Sequence, residues 1–77
     1  MKTSVIISDK EILGGTPVFR GTRVPAQFLF ERLESGESID EFLESYPTVT
    51  KKQALEALRL AEKLIDSLAL KDENTSR

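Results

Sequence analysis

From Pro25 onward, apolar residues recur at intervals of three and four, which is the spacing of one face of an α-helix. The first such segment runs from Ala26 to Glu34, with the sequence AQFLFERLE. Proline suits the first turn of a helix, and Ser35-Gly36 supplies a stop because glycine readily adopts the left-handed conformation that ends helices. The pattern therefore predicts a short first helix.

Two further helices each begin with a capping box, in which the helix-opening residue and a residue three positions later bond each other's backbone N–H. The first box is Ser38 to Glu41 (SIDE), and it predicts a second helix that ends before Pro47. The second box is Thr50 to Gln53 (TKKQ), and it opens the longest helix, which we expect to run to about Leu70. Residues 71–77 are predicted to form a polar, frayed tail.

The segment before the helices has the composition of strands and tight turns. Thr3 to Ser8 is rich in β-branched residues, and Gly14 to Pro25 reads GGTPVFRGTRVP. Proline fixes φ at an extended value, whereas glycine supplies the positive φ that a tight turn requires. These features predict a hairpin in which residues 18–19 and 22–24 flank Arg20-Gly21. The alternative is an ordered loop that leads into the first helix.

The chain is predicted to be a single domain, 1–77, made of three consecutive parts. These are an N-terminal strand or hairpin segment (1–24), a helical unit (25–70) and the polar tail (71–77). The fold class is mainly α, and two capped helices after a short first one give the order of a three-helix helix-turn-helix unit. Helical hairpins are also common in proteins that never bind DNA, so topology alone leaves both DNA binding and protein binding open.

The longest helix carries more apolar surface than one packing partner needs. At about 100° per residue, its apolar positions cover an arc of roughly 220°. The central stripe, spaced like a coiled-coil seam, consists of Ala54, Leu58, Ala61, Ile65 and Leu68. We expect one side of the arc to pack on the first two helices, and Leu60, Leu64 and Leu68 to meet a second subunit or a different protein. The alternative is that the N-terminal hairpin covers this side.

The composition excludes the usual catalytic pairs and the usual reinforcement of small domains. The chain has 77 residues, no cysteine and no histidine, so disulfides and the common thiolate and imidazole zinc ligands are absent. Catalysis by histidine or cysteine is likewise excluded. Paired carboxylates remain as an alternative, but the acidic residues of 31–44 are expected mainly on the solvent faces of the first two helices. We therefore predict that the protein is not an enzyme, has no metal or cofactor, and gains apolar burial by forming a homodimer.

The charge is unevenly distributed around a net value of −2, because residues 31–49 carry one basic and six acidic side chains. A local basic surface remains on the hairpin and at the start of the last helix. The candidate DNA contacts there are Thr50, Lys51, Lys52, Gln53 and Glu56, with Gln53 as the candidate adenine reader. No apolar run approaches the roughly 20 residues that span a bilayer, so we expect a soluble, cytoplasmic protein without a membrane partner.

Several of these residues together resemble a known family, the domain-of-unknown-function 433 family. The residues that carry the likeness are Asp9, Ile12 to Pro25, Tyr46-Pro47, Thr50 and Ala57-Leu58. The likeness covers residues 5–66, and it departs from the family at Lys10, where a proline is common. It implies a homeodomain-like helix-turn-helix fold and an antitoxin that binds and silences a PIN-like ribonuclease toxin. It also implies binding to operator DNA that represses the antitoxin's own promoter.

The residues that match the core of the family motif are Gly15, Pro17, Gly21, Thr22 and Arg23. Glycine and proline in such a motif hold backbone geometry and need not touch a ligand. We expect the guanidinium of Arg23 to fasten the hairpin to backbone carbonyls or to a carboxylate. Two functions follow: a dimeric antitoxin that binds both toxin and DNA, or a protein-interaction module that does not bind DNA.

Overall fold

Two short strands precede three helices in the computed structural model, which describes residues 4–76 and the side chains of residues 4–68. The elements in chain order are β1 (Ile6–Ile7), a 3₁₀ turn (Leu13–Gly15), β2 (Val18–Phe19), α1 (Ala26–Glu34), α2 (Ile39–Ser45) and α3 (Lys51–Ser76). Thr3, where the predicted strand begins, and Arg77, where the predicted tail ends, lie outside the described residues. The predicted fold class, mainly helical with a short N-terminal two-strand unit, is confirmed.

The first two helices begin and end where their local signals predict. α1 closes at Gly36, whose φ of 98° is left-handed and whose N–H donates to the Leu33 carbonyl over 3.0 Å. The capping box of α2 is complete: the Ser38 hydroxyl accepts from the Glu41 N–H at 3.1 Å, and Glu41 Oε1 accepts from the Ser38 N–H at 2.8 Å. Local capping therefore fixes both ends of the α1–α2 connection.

α3 begins at the predicted capping box and extends past its predicted end. The Thr50 hydroxyl accepts from the Gln53 N–H at 3.1 Å, and Gln53 Oε1 accepts from the Thr50 N–H at 3.0 Å. The helix continues to Ser76 instead of ending near Leu70. The predicted tail is therefore helical as far as that residue. Polar residues do not end a helix by themselves, and the segment contains neither glycine nor proline.

The sheet pairs two segments that are distant in sequence. β1 and β2 are antiparallel, with Ile6 opposite Phe19 and Ile7 opposite Val18. The predicted hairpin around Arg20-Gly21 does turn there, and the Phe19 N–H donates to the Val24 carbonyl at 3.0 Å. The second arm adds one isolated bridge, between Val18 and Pro25, so residues 22–24 pair with β2 without forming a regular strand.

Two features of that arm explain why it does not form a strand. Pro25 has no N–H to donate to a ladder. The N–H of Val24 is bonded to the Thr22 hydroxyl at 3.0 Å, so it is not available to a neighbouring strand.

The hydrophobic core lies where α1, α2 and the first half of α3 meet β2. Its buried members are Phe19, Leu29, Phe42, Val49, Ala54 and Ala57. The rings of Phe19 and Phe42 lie 6.2 Å apart between centroids, which joins the strand to the second helix. The radius of gyration is 14.4 Å, against about 11.5 Å for a compact domain of this length. The difference follows from the distal half of α3, which extends beyond the core.

Candidate interaction surfaces

The glycine and threonine of the family-like motif shape the turn that follows β2. The N–H of Thr22 donates to the Phe19 carbonyl over 2.9 Å, and Gly21 has a φ of 82°. Positive φ at the third residue alone is the type II geometry, for which glycine is the preferred residue. The Thr22 hydroxyl donates to the same Phe19 carbonyl at 2.9 Å while accepting from Val24. Both residues therefore have a backbone-shaping role.

The other two motif positions order the chain on either side of β2. Gly15 has a φ of 100°, and its carbonyl accepts a hydrogen bond from the Ser8 hydroxyl. The carbonyl of Pro17 accepts from the N–H of Ala26 at 3.0 Å, which ties the start of α1 to the start of β2. These contacts give both positions a structural role, as expected for glycine and proline in such a motif.

The arginine that fastens the N-terminal segment is Arg20 and not Arg23. Arg20 Nε donates to the Ser4 carbonyl at 2.8 Å, and the Arg20 N–H donates to the Val5 carbonyl at 2.8 Å. Arg23 is exposed, and it makes no side-chain hydrogen bond or ion pair with any residue of the described range. The predicted fastening role of Arg23 is therefore not found here. The difference arises because the turn directs Arg20 toward the chain that leads into β1.

The start of α3 is joined directly to the motif turn. Gln53 Nε2 donates to the Arg20 carbonyl at 2.9 Å, while Gln53 Oε1 accepts from Thr50. Both polar atoms of the candidate adenine reader are thus engaged within the chain. Bidentate recognition of adenine uses the same two atoms, so in this conformation Gln53 is not available for that contact.

The remaining candidate DNA contacts lie together over the first two turns of α3. Lys51 and Lys52 are exposed, whereas Glu56 is half-buried. Lys51 Nζ lies 3.6 Å from Asp40 Oδ1, an ion pair in which both side chains are mostly exposed. An exposed pair of this kind contributes little to stability. Lys51 can therefore exchange that contact for another anion at small cost.

The distal half of α3 presents a row of large apolar side chains that no described residue covers. We call Leu60, Leu64, Ile65 and Leu68 the distal stripe, and their exposed fractions are 42%, 66%, 63% and 61%. The row continues the face that buries Ala54 and Ala57 in the core. The alternative prediction, that the N-terminal hairpin covers this side, is wrong, because β2 packs against α1 instead.

A polar clasp that the sequence pattern did not reveal joins α1 to the end of α2. Arg32 Nη1 donates to both carboxylate oxygens of Glu37, at 2.8 and 3.1 Å, and Nη2 donates to the Tyr46 hydroxyl at 3.3 Å. The hydrogen bond to Glu37 raises the pKa of Arg32 above its ordinary value. An arginine is charged throughout the pH range in which proteins fold in any case, so the clasp is an ion pair as well as a hydrogen bond. The sequence signal for this clasp is an arginine in the last turn of α1, four residues before the glycine that ends the helix.

Two kinds of site are not found within the described range. No group of three or more acidic side chains there is placed to hold a metal ion. None of the helices in that range has the length and apolarity needed to cross a bilayer.

Comparison with known proteins gives a family match and a fold match. A family model described as "Protein of unknown function (DUF433)" matches residues 6–61. A curated relative from Sinorhizobium fredii (strain NBRC 101917 / NGR234), "Uncharacterized protein y4eO", is 40% identical over 57 residues, or 74% of this chain. The chain spans 24% of the length of that relative.

The matching solved structure is the crystal structure of a DUF433 member protein from Anabaena variabilis ATCC 29413. It superposes with a TM-score of 0.68 at 23% sequence identity, over 90% of this chain and 68% of that chain. At that identity the likeness supports the fold.

Proposed function

We propose that this chain, which belongs to the DUF433 family of proteins of unknown function, is an antitoxin that neutralises a PIN-like ribonuclease toxin by binding it. The proposed complex forms in the cytoplasm, and the antitoxin acts as a homodimer. Its proposed mode of action is occlusion: the antitoxin covers a surface that the ribonuclease needs and performs no chemistry itself.

The observation that carries this proposal is the distal stripe. Large apolar side chains that stand together on a surface mark a site of protein association. The most exposed of them, Leu64, Ile65 and Leu68, lie on the part of α3 that extends beyond the core, where a partner can approach from several directions. An amphipathic helix that presents residues at this spacing suits a hydrophobic groove on a second protein.

One cation beside the stripe supports a partner with an acidic surface. Arg59 lies next to Leu60 on α3 and is exposed. A ribonuclease that works with a divalent cation holds it with carboxylates. Cations at the edge of an apolar contact favour such a partner through its charge and speed the encounter.

Co-purification with the product of the adjacent gene tests the proposal. We expect Ile65→Asp and Leu68→Asp to abolish capture and to restore ribonuclease activity in the mixture, because each places a charge in the apolar contact. The matched control is Leu55→Asp, which makes the same change at a leucine outside the distal stripe. Undiminished capture by both stripe variants would overturn the proposal, provided that circular dichroism shows all three variants folded.

A second proposed activity is binding of the chain's own upstream DNA through the start of α3. The observation that favours it is the pair of exposed lysines, Lys51 and Lys52, at the amino end of the helix that follows the α2–α3 turn. In helix-turn-helix proteins this end of the helix enters the major groove. The acidic residues of α2 oppose the approach of DNA, so the contact depends on these two cations.

Fluorescence titration of the chain against duplex DNA from its upstream region tests this activity. We expect affinity to fall as salt rises, because each phosphate contact releases counterions. Replacing Lys51 and Lys52 with alanine weakens binding to every sequence, whereas Glu62→Ala, a control beyond the first turns of α3, leaves it unchanged. If the chain does not bind this DNA at low salt, the proposal of DNA binding is contradicted, and the protein-interaction function stands alone.

A further inference from the structure

One face of α3 is open along two turns and is centred on Leu60. A shallow depression there is lined by Glu56, Arg59, Leu60 and Lys63, and no described residue outside α3 contributes to it. Leu60 is 42% exposed, and Leu64, one turn further along the same face, is 66% exposed. This face is therefore accessible to a second helix.

The charges on this face have opposite signs on the two sides of Leu60. Glu56 lies four residues before it and Lys63 three residues after it, so both share its side of the helix. At a rise of 1.5 Å per residue, they stand about 6 Å and about 4.5 Å from Leu60 along the helix axis. Neither side chain forms an ion pair with a described residue.

We propose that this face binds the same face of a second copy of the chain, with the two α3 helices antiparallel about a two-fold axis at Leu60. In this antiparallel arrangement, Glu56 and Lys63 of the second copy differ by only about 1.5 Å in their positions along the helix axis. The symmetry repeats the pair on the other side of the axis. Leu60 and Leu64 of both copies form a four-leucine cluster beside the two ion pairs.

The charge pattern favours a second copy of the chain as the partner of this face, and it determines that the two helices run antiparallel. A two-fold interface is self-complementary, which requires that the face match its own reverse. In a parallel arrangement Glu56 faces Glu56 and Lys63 faces Lys63, so both contacts are repulsive. The antiparallel arrangement turns both into attractions while burying the same leucines.

The inference deepens the homodimer part of the proposed function and rests on it, and it divides the surface of α3 between two partners. The second copy covers Leu60 and Leu64. Ile65 and Leu68 remain exposed beside this contact and are the part of the distal stripe assigned to the ribonuclease. One helix then serves both associations, over neighbouring faces.

Charge reversal on the full chain tests the pairing, with dimer dissociation measured by sedimentation equilibrium. We expect Glu56→Lys and Lys63→Glu each to weaken the dimer about tenfold or more, because each turns two attractions into repulsions. The double variant exchanges the charges and restores the affinity to within about threefold. Glu62→Lys, the same reversal on another face of α3, leaves it unchanged. A monomeric wild-type chain, or a double variant as weak as the single variants, overturns the inference.

The direction of pairing has an independent test, because the chain contains no cysteine. In the antiparallel pair, Leu60→Cys places two thiols at the axis, and mild oxidation yields a disulfide-linked dimer. Ser67→Cys, seven residues further along the same face, places its thiols about 21 Å apart along the axis, beyond the reach of a disulfide. Efficient cross-linking at Ser67, whether or not Leu60 also cross-links, indicates parallel helices and overturns the proposal.

These outcomes separate the inference from the proposed function. A chain that stays monomeric but still captures the ribonuclease contradicts the helix pairing and the homodimer, and it leaves the binding of the ribonuclease standing. A chain that forms the charge-sensitive dimer but captures no ribonuclease contradicts the antitoxin function alone.

Discussion

At the scale of single residues, Gln53 joins parts of the chain that are far apart in sequence. Its amide oxygen caps the start of α3, and its amide nitrogen holds the Arg20 carbonyl, 33 positions earlier. The turn after β2 and the amino end of α3 are therefore positioned as one unit. A glutamine in a capping box is recognisable from sequence, but its second contact depends on the folded chain.

Replacement of Gln53 should lower stability more than it alters recognition of DNA. We expect Gln53→Ala to reduce the free energy of unfolding by about 1–2 kcal/mol, because it removes a cap and a second hydrogen bond. Gln53→Glu keeps the acceptor and loses the donor, so its effect should be smaller. Urea unfolding measures both. An alanine variant of unchanged stability with altered base preference would contradict this role.

Gly21 shows how a single φ angle determines the choice of residue. Its φ is 82°, which L side chains rarely adopt, but nothing lies within 4 Å of an added Cβ, so a side chain would meet no clash. Backbone strain alone should therefore make Gly21→Ala cost about 1 kcal/mol in thermal or urea unfolding. Asparagine tolerates this conformation better, so Gly21→Asn should cost less. Equal losses for the two variants would point to a cause other than φ.

At the scale of elements, the helices were predictable and the sheet was not, for a physical reason. Caps and stops act over three or four residues, so Ser38, Thr50 and Gly36 mark helix ends in the sequence itself. Ten residues, including a 3₁₀ turn, separate β2 from its partner strand, and no local pattern specifies that pairing. The far end of α3 is not marked in the sequence either, because a polar segment has the composition of a tail whether or not it is helical.

The capping box of α2 should contribute measurably to stability. We expect Ser38→Ala to lower the free energy of unfolding by about 1 kcal/mol, because it leaves the Glu41 N–H without its partner. Ser45→Ala, which removes an exposed hydroxyl at the other end of the same helix, is the matched control and should have an effect near zero. Chemical denaturation of the two variants in parallel measures the difference.

At the scale of the whole molecule, the residues that hold the fold are separate from the exposed residues of the distal stripe. The core ends at Ala57 on α3, and the distal stripe begins at Leu60. The sequence pattern predicted the stripe, because its apolar arc exceeded what one core could cover. It did not predict the Arg32 clasp, whose three side chains converge only after α1 and α2 have packed.

This separation predicts contrasting effects of two substitutions on the isolated chain. Leu29 is fully buried, so Leu29→Ala should cost about 2–5 kcal/mol through lost burial and a cavity. Leu68→Asp should change the free energy of unfolding by less than about 0.5 kcal/mol, as expected of a surface position. Thermal and urea unfolding at a concentration below dimer formation compare them. A large drop in the free energy of unfolding of Leu68→Asp would show that Leu68 contributes to the stability of the monomer.

The extension of α3 beyond the core also affects how long a free copy of the chain survives. A helical segment with few tertiary contacts opens locally at low free-energy cost. Each opening of residues 59–68 presents the peptide bonds after Arg59 and Lys63 to proteases, and cleavage then follows the population of the open form. In the proposed complexes, a partner seated on this segment suppresses the opening. The lifetime of the protein therefore becomes a measure of how much of it is bound.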